Sequence, residues 1–315
     1  MSEVLSKTTK IQKLPAFLID QIKAGEVLES AASLVKEVIE NSIDAQSDKV
    51  SISIEGNGLD FISIEDNGNG INYSDLPLAF SRHATSKIDK FDDLYSLSTF
   101  GFRGEALASI ASISRVSCIT TTKDKNTSKI VIDGGKILSH SKLGEREKNG
   151  TSIYVKDLFY NTPVRLKFIK SKVSEKNALK KILYAFFISY PEVQFTLKLD
   201  TKEKLILPKL SRHNFSQRIK DMVEKDSNKI TIRQAQKIYD DHSVLVFVLS
   251  GHKKVQSFNY HFINGRYFID PKIKHITKSI FDKFSHREKS GVVVFIDAPK
   301  SKVDINIHPN HNTKP

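Results

Sequence analysis

The chain has 315 residues, of which 39% are hydrophobic and 27% charged, and its formal net charge is +13. This length predicts two domains of a globular protein, and the single cysteine, Cys118, excludes a disulfide framework, a four-cysteine zinc site and a Cys-x-x-Cys redox pair within the chain. No apolar run approaches the ~18 residues of a membrane helix, and the first residues lack the apolar core of a secretory signal, so we expect a reducing, cytoplasmic location.

The first third of the chain predicts two helices and an antiparallel hairpin. A short helix is predicted at residues 16–24, and a longer one at residues 33–45 with Ser33 as its N-cap. Apolar and polar residues alternate over residues 50–54 and again over 61–64, with a Gly-Asn-Gly turn between them. Residues 68–102 predict a long loop containing one or two short helices, and loops of that length inside a domain are usually functional.

The remaining pattern predicts a mixed chain of helices and strands. Helices are predicted at residues 104–113 and 173–189, with strands at 115–120, 129–132, 151–155 and 193–199. A polar stretch at residues 209–216 predicts a linker. Beyond it we predict a helix at 217–223, strands at 243–249, 259–263 and 291–296, and a helix at 271–284. The last two strands with the helix between them form a crossover unit that is typical of an α/β domain.

Glu37 and Asn41 lie one turn apart on the predicted helix 33–45 and therefore share a face. Glu37 and Asn41 lie at the edge of the helix's apolar stripe, whereas Lys36 and Glu40 point away from it. The stripe consists of Leu34, Val35, Val38, Ile39 and Ile43. A carboxylate in this position could activate a water molecule, and an amide oxygen could bind Mg²⁺. Taken alone the pattern is weak, because a solvated Glu and a satisfied Asn would give the same sequence.

The segment DNGNG directly follows the second hairpin strand. Asp66 would be an acceptor held at the end of that strand and able to receive an exocyclic amine. Gly68 and Gly70 would let a ligand approach the backbone closely. An ordinary Asp/Asn/Gly turn is the alternative interpretation.

A third segment, GFRGEAL at residues 101–107, places Arg103 and Gly104 at the start of a predicted helix. The free N–H groups and the dipole of a first helical turn favour anions, and Arg103 adds a positive charge, so the segment predicts a phosphate site. Neither the P-loop pattern nor Gly-x-Gly-x-x-Gly occurs in the chain, which disfavours those two nucleotide folds.

In this order and spacing the three segments resemble the GHKL ATPase superfamily, whose fold is shared by gyrase B, Hsp90, histidine kinases and MutL. Five further segments narrow the resemblance to the amino-terminal ATPase region of bacterial MutL mismatch repair proteins: RHATSK (82–87), GTS (150–152), DLFYNTP (157–163), FINGR (262–266) and DINIHP (304–309). The resemblance implies an α+β fold. A two-layer α/β sandwich ATPase domain would occupy residues 1–210, and a ribosomal protein S5 domain 2-like α/β domain residues 211–315.

The resemblance also implies roles and cofactors. Glu37 would be the general base for the water that attacks the γ-phosphate of ATP, Asn41 the Mg²⁺ ligand, and Asp66 the acceptor of the adenine amino group. Gly68 and Gly70 would shape the adenine pocket, and Thr151 would lie in the strand beneath the base. Lys87, Arg103 and Gly104 would hold the phosphates in a mobile lid. Turnover is expected to be slow, because a lid has to order over the nucleotide before hydrolysis.

The sequence departs from the family pattern near its end. The family usually has a Lys two residues after His-Pro, reaching the γ-phosphate from the second domain, but His311 stands there, and a neutral imidazole does not replace an ammonium. Asn306 and His311 are the residues we expect at this coupling point. Because the sequence stops at Pro315, we expect the second domain to be cut short by truncation or a frameshift, without the endonuclease part of some MutL proteins.

The net charge favours an anionic partner, and the resemblance to a DNA repair family implies that some basic residues contact DNA phosphates. The candidates are Arg165, Lys170, Arg266, Lys272 and Lys274. A solvated helical face is the alternative for such charges. No element suited to reading bases is evident, so we expect binding to be independent of DNA sequence.

The function implied by the resemblance is DNA mismatch repair, with a slow Mg²⁺-dependent ATPase acting as a nucleotide-driven switch. Its implied partners are a second copy in the ATP-bound state, the mismatch recognition protein MutS, and a downstream nuclease or helicase, in the cytoplasm on the nucleoid and away from membranes. Two alternatives remain open. One is a non-catalytic nucleotide- or DNA-binding module that lacks the γ-phosphate Lys, and the other is a GHKL kinase or topoisomerase subunit, which the MutL-like segments disfavour.

Overall fold

The computed structural model describes residues 28–85, 104–169, 171–200, 203–223, 230–251, 255, 258–284 and 290–303. The predicted helix at residues 16–24 lies outside them. The chain divides into two compact units, one containing Met1–Leu179 and Leu197–Lys204 and the other Lys180–Thr196 and Leu205–Pro315. The domain boundary after residue 210 stays a prediction.

The helices are α1 (Ala31–Asp44), α2 (Leu76–Ala79), α3 (Ala106–Ser112), α4 (Pro163–Phe168), α5 (Lys172–Ser189), α6 (Phe215–Val223) and α7 (Pro271–Phe284). The first eight strands are β1 (Lys49–Glu55), β2 (Phe61–Asp66), β3 (Arg115–Thr121), β4 (Thr127–Asp133), β5 (Lys136–Leu143), β6 (Gly150–Lys156), β7 (Gln194–Leu199) and β8 (Glu203–Leu207). The other strands are β9 (Thr231–Ile238), β10 (Ser243–Ser250), β11 (Asn259–Ile263), β12 (Arg266–Phe268) and β13 (Ser290–Asp297).

An eight-stranded sheet has the strand order β5-β4-β3-β6-β2-β1-β7-β8. Strands β1 and β2 pair antiparallel, with Ile52 opposite Ile64, as the alternating pattern predicted. Alternate residues along β1, β2, β3 and β6 are buried. Their side chains form one face of the sheet, and the apolar side of α1 packs against this face. Cys118 lies in this face and is fully buried, and burial raises the pKa of its thiol.

A five-stranded sheet has the order β12-β11-β13-β10-β9. Strands β11 and β13 run parallel with α7 between them in the chain, so the predicted crossover unit is confirmed. Stacked aromatic rings fill the sheet's core, with Phe295 against Phe215 at 4.2 Å and against Phe262 at 4.8 Å. With the eight-stranded sheet, this gives the predicted α+β fold class.

Two details of the elements differ from the sequence prediction. Helix α1 begins earlier, because Ser30 is the N-cap: it is extended, with φ −156° and ψ 165°, and its Oγ accepts a 3.2 Å hydrogen bond from Ser33 N. Strands β5, β8, β9 and β12 and helix α4 were not predicted. Nearly every residue of β5 and β9 is exposed, so neither strand carries the alternation of buried and exposed residues that marks a strand in the sequence.

Candidate functional site

Helix α1 presents Glu37 and Asn41 on one face, as its periodicity predicted. Both residues are partly exposed, and the Glu37 side chain retains 30% of its accessible surface. The adjoining side of the helix packs on the sheet through four buried apolar residues, Leu34, Val35, Val38 and Ile39. The structure therefore holds a carboxylate and a carboxamide one turn apart on a rigid element, both within reach of solvent.

The prediction that Glu40 points away into solvent is wrong. Its side chain is only 9% exposed and accepts a 3.0 Å hydrogen bond from Lys36 Nζ. Lys36 also donates a 3.3 Å bond to Oε1 of Glu37. Burial opposes the charge on Lys36, but the Glu40 and Glu37 carboxylates outweigh this effect and raise the pKa of Lys36. Pairing is the physical reason that Glu40 tolerates burial.

Asp66 occupies the last position of β2, on the same face as the buried Ile62 and Ile64. Its Oδ1 accepts hydrogen bonds from Gly68 N at 2.8 Å and Thr151 N at 3.2 Å, and its Oδ2 accepts one from Ser42 Oγ at 2.9 Å. Burial raises the pKa of Asp66, and these donors offset only part of that rise. The carboxylate is thus fixed in one orientation by groups from a helix, a strand and a loop.

Thr120 and Thr151 extend this polar end of the sheet face. They are opposite each other on β3 and β6, both are buried, and their hydroxyl oxygens lie 3.0 Å apart. Thr120 Oγ1 also accepts a 2.8 Å hydrogen bond from Ile71 N in the loop after β2. This row of polar side chains, Thr120, Thr151 and Asp66, is where the otherwise apolar sheet face ends.

The loop after β2 requires glycine at position 70. Gly70 has φ +73°, and a Cβ there would lie 2.2 Å from the carbonyl oxygen of Thr121. No other residue fits that contact without displacing the backbone. The chain thus passes directly over the edge of the polar row, with Gly68 donating to Asp66 on the way.

Gly104 lies at the start of the segment that leads into α3. Its φ is +61°, and a Cβ there would lie 2.3 Å from the carbonyl oxygen of Ala84. Residues 84 and 104, which bracket the predicted phosphate-holding lid, are therefore neighbours in space. Next to them His83 Nδ1 lies 3.4 Å from Glu105 Oε1.

Several predicted site residues lie outside the described residues: Lys87, Arg103, Lys170, Asn306 and His311. The structure brings together five of the others, Asn41, Asp66, Gly68, Gly70 and Thr151, around the end of α1 and β2. Ser42 and Thr120 belong to the same cluster and were not predicted. Only the position of Ser42 next to Asn41, and of Thr120 in phase with the buried residues of β3, pointed toward them.

A cavity of about 540 Å³ opens on the other face of the eight-stranded sheet. Its lining includes Ser51, Glu65, Ile119 and Ser152, which alternate along their strands with the buried core residues, and also Asp66 at the end of β2. Asp66 belongs to both the cavity and the candidate site, so the two adjoin at the end of β2.

The predicted DNA contacts occupy different local environments. Arg165 on α4 donates a 3.1 Å hydrogen bond to the main-chain oxygen of Leu28 and is only partly exposed. Lys272 and Lys274 are exposed in the first turn of α7, and Arg266 on β12 is partly exposed. Burial and the neighbouring Lys274 ammonium lower the pKa of Lys181 on α5. Lys181 is thus a third basic residue near the start of α7, close to Lys274.

Within the described ranges no group of three or more His, Cys, Asp or Glu side chains is arranged to hold a metal ion. Asn41 supplies an amide oxygen on a partly exposed face of α1, which fits a hard cation that keeps waters and phosphate oxygens as its other ligands. No helix among the described residues is both long and apolar enough to cross a membrane.

Comparison with known proteins gives two family matches. Residues 29–154 match the family described as histidine kinase-, DNA gyrase B- and HSP90-like ATPase, and residues 222–313 match the DNA mismatch repair protein, C-terminal domain. The fold and the site on α1 and β2 thus define a GHKL-type ATPase module followed by a mismatch repair domain.

Individual relatives agree. The DNA mismatch repair protein MutL of Geobacter sp. is 39% identical over 307 residues, covering 96% of this chain and 46% of the relative. That of Thermosipho africanus is 36% identical over 300 residues, covering 95% of this chain and 51% of the relative. The chain spans about half the length of these curated relatives.

Solved structures give the same result. The Aquifex aeolicus MutL ATPase domain complexed with ADP superposes with a TM-score of 0.64 at 25% identity, covering 88% of this chain and 99% of that one. The N-terminal domain of a DNA repair protein superposes with a TM-score of 0.74 at 23% identity, which shows the shared fold. The chain is therefore similar to the MutL DNA mismatch repair proteins along about 95% of its length, over a part that includes the ATPase domain.

Proposed function

We propose that this chain is a slow Mg²⁺-dependent ATPase whose nucleotide state acts as a switch in DNA mismatch repair. One observation carries the proposal: the helix that presents Glu37 and Asn41 is hydrogen-bonded, through its next residue Ser42, to the strand-end carboxylate of Asp66. The residue proposed to recognise adenine, Asp66, and the residues proposed to act in hydrolysis, Glu37 and Asn41, are thereby held in one rigid unit. The family match and the ADP-bound Aquifex aeolicus relative support nucleotide binding at this place.

The chemistry follows from the side chains. Asp66 accepts the adenine amino group as a carboxylate, while Gly68, Gly70 and Thr151 shape the adenine pocket. Glu37 takes a proton from the attacking water, which forms a bond to the γ-phosphorus as the bond to ADP breaks, releasing ADP and phosphate. Bound Mg²⁺ would neutralise phosphate charge, with Asn41 as its protein ligand.

Lys87, Arg103 and Gly104 complete the proposed site by holding the phosphates. Residues 84 and 104, which bracket this lid in the sequence, are neighbours in space, and this supports a lid that begins and ends at one place. Hydrolysis depends on the lid closing over the nucleotide, which accounts for slow turnover. ATP-driven closure would also promote pairing of two copies, and Asn306 and His311 would report the nucleotide state to the second domain.

In the cell, the proposed switch couples mismatch recognition by MutS to a downstream nuclease or helicase, in the cytoplasm on the nucleoid. DNA would be held without sequence preference through Arg165, Lys170, Arg266, Lys272 and Lys274, because phosphate contacts carry no sequence information. We expect no endonuclease activity from this chain.

Two substitutions that separate ATP binding from ATP hydrolysis test the proposal. Asp66→Ala should abolish ATP binding measured by calorimetry, whereas Glu37→Ala should bind ATP and fail to hydrolyse it. Light scattering with a non-hydrolysable ATP analogue should show dimers of the unmodified chain and monomers of Asp66→Ala. Unchanged ATP affinity in Asp66→Ala would contradict the assignment of the pocket.

A second candidate function rests on His311. If the imidazole fails to replace the family's Lys at the γ-phosphate, the chain is a nucleotide- or DNA-binding module that does not turn over. Tight ATP binding without hydrolysis, restored by His311→Lys, would support this function. Hydrolysis above background by the unmodified chain would remove it.

A further inference from the structure

Lys36 lies between two carboxylates of its own helix. Its Nζ donates to Glu40 Oε2 at 3.0 Å and to Glu37 Oε1 at 3.3 Å. The pairs Lys36/Glu40 and Glu37/Asn41 are each spaced by one turn and lie side by side along α1. The ammonium is therefore shared between buried Glu40 and the more exposed Glu37.

The two acids differ in how readily they could release Lys36. The Glu40 side chain is 9% exposed, whereas that of Glu37 is 30% exposed. Leaving a buried carboxylate without a cation is strongly unfavourable, so Glu40 fixes the position of the ammonium. Both carboxylates raise the pKa of Lys36 above its usual value, so Lys36 remains charged at neutral pH.

Fixing the ammonium also restricts Glu37. One of its oxygens, Oε1, is engaged by Lys36, whereas Oε2 has no hydrogen-bond partner within the part of the chain that the structure describes. A freely rotating glutamate would exchange these two oxygens and sample several rotamers. With Oε1 held, Oε2 is the oxygen left to accept a proton.

We propose that Lys36 is a positioning residue for ATP hydrolysis: anchored by buried Glu40, it holds Glu37 by Oε1 so that Oε2 receives the proton of the attacking water. This inference rests on the proposed role of Glu37 as general base. Lys36 itself contacts neither the water nor the phosphates in this scheme. Its removal should therefore reduce kcat without weakening nucleotide binding, since general-base catalysis depends on the orientation of the base.

The test compares Glu40→Gln with the double variant Lys36→Met/Glu40→Gln. Neither variant contains a buried unpaired carboxylate at position 40, so both should fold, and they differ only in the ammonium beside Glu37. We expect the double variant to have a kcat at least about tenfold below that of Glu40→Gln, with KM and ADP affinity within about twofold. Lys36→Arg should keep kcat near that of the unmodified chain, because a guanidinium forks between two carboxylates.

Controls separate the possible failures. Lys123→Met removes an exposed turn lysine and should leave kcat unchanged. If kcat of the double variant equals that of Glu40→Gln, or if Lys36→Arg is as slow as the double variant, the positioning role is wrong. If Glu37→Ala hydrolyses ATP as fast as the unmodified chain, the proposed function itself fails, whatever the Lys36 variants do.

Discussion

Ser42 Oγ on α1 donates a 2.9 Å hydrogen bond to Oδ2 of Asp66 at the end of β2. Ser42 is itself buried, and its hydroxyl oxygen lies 3.1 Å from the carbonyl oxygen of Val38 one turn earlier in the helix. The bond sets the distance between the strand-end carboxylate and the helix that carries Glu37 and Asn41. It therefore links the residue proposed to recognise the base with those proposed to act on the γ-phosphate.

Ser42→Ala should weaken ADP binding by at least about tenfold. The change removes a hydrogen bond to a charged group, and such bonds contribute about 1.5–3 kcal/mol. Isothermal titration calorimetry measures the effect directly. Ser53→Ala, on the opposite face of β1, is the matched control and should bind ADP as the unmodified chain does; equal affinity for both variants would show that Ser42 does not orient Asp66.

The affinity for adenine nucleotides should fall at acidic pH. Burial raises the pKa of Asp66 in the free protein, and the adenine amino group needs the ionised carboxylate as its acceptor. Binding therefore requires loss of any proton on Asp66, so log affinity should be flat above the raised pKa and decrease by up to about one unit per pH unit below it. A titration series across pH measures this slope. Asp66→Asn should bind weakly at every pH, and an equally sloped profile in that variant would refute the assignment.

The same pKa shift makes a prediction about stability. A carboxyl whose folded-state pKa is raised contributes stability below its unfolded pKa, and this contribution disappears as pH rises through the folded pKa. Asp66→Asn removes this pH dependence, so its unfolding temperature relative to the unmodified chain should increase as pH rises through that range. Thermal unfolding at several pH values tests this. If the unfolding temperature of Asp66→Asn instead decreases relative to that of the unmodified chain as pH rises, the pKa of Asp66 is lowered in the folded state.

Gly70→Ala should destabilise the protein by about 1–3 kcal/mol through backbone strain. The residue has φ +73°, and the new Cβ would lie 2.2 Å from the Thr121 carbonyl oxygen. Gly144→Ala is the matched control, because a Cβ there meets nothing within 4 Å. Urea unfolding of both variants gives the comparison, and equal stabilities would contradict the described course of the loop.

Removal of positive charge near the start of α7 should weaken binding to DNA of any sequence. Lys272 and Lys274 are exposed there. The variant Lys272→Ala/Lys274→Ala should reduce the slope of log affinity against log salt concentration by about one for each DNA phosphate that is no longer neutralised. Fluorescence anisotropy with unrelated duplexes over a range of salt concentrations measures both effects. An unchanged slope would place the DNA-binding residues elsewhere.

The sequence predicted those parts of the molecule whose pattern is local. The apolar stripe of α1 and the alternation in β1 and β2 reflect burial on one side, so their periodicity indicated both the elements and the common face of Glu37 and Asn41. The cap was misplaced because Ser30 and Ser33 are equally suitable residues, and only the extended backbone of Ser30 distinguishes them.

Other features depend on contacts between distant segments. Glu40 was expected in solvent because a helical wheel shows position but not pairing, and its burial depends on Lys36. The approach of Thr151 and Ser42 to Asp66 depends on the order of strands in the sheet. Local propensity carries no information about such contacts, which is why Ser42 and Thr120 were missed.

The most direct test of the account is a single-turnover measurement in which labelled ATP is bound to excess protein and hydrolysis is started with Mg²⁺. The unmodified chain should convert the bound ATP to ADP and phosphate, and Glu37→Ala should bind the same ATP and convert it at least about a hundredfold more slowly. Equal rates of conversion in the two proteins would contradict the central claim that Glu37 on α1 is the base for hydrolysis.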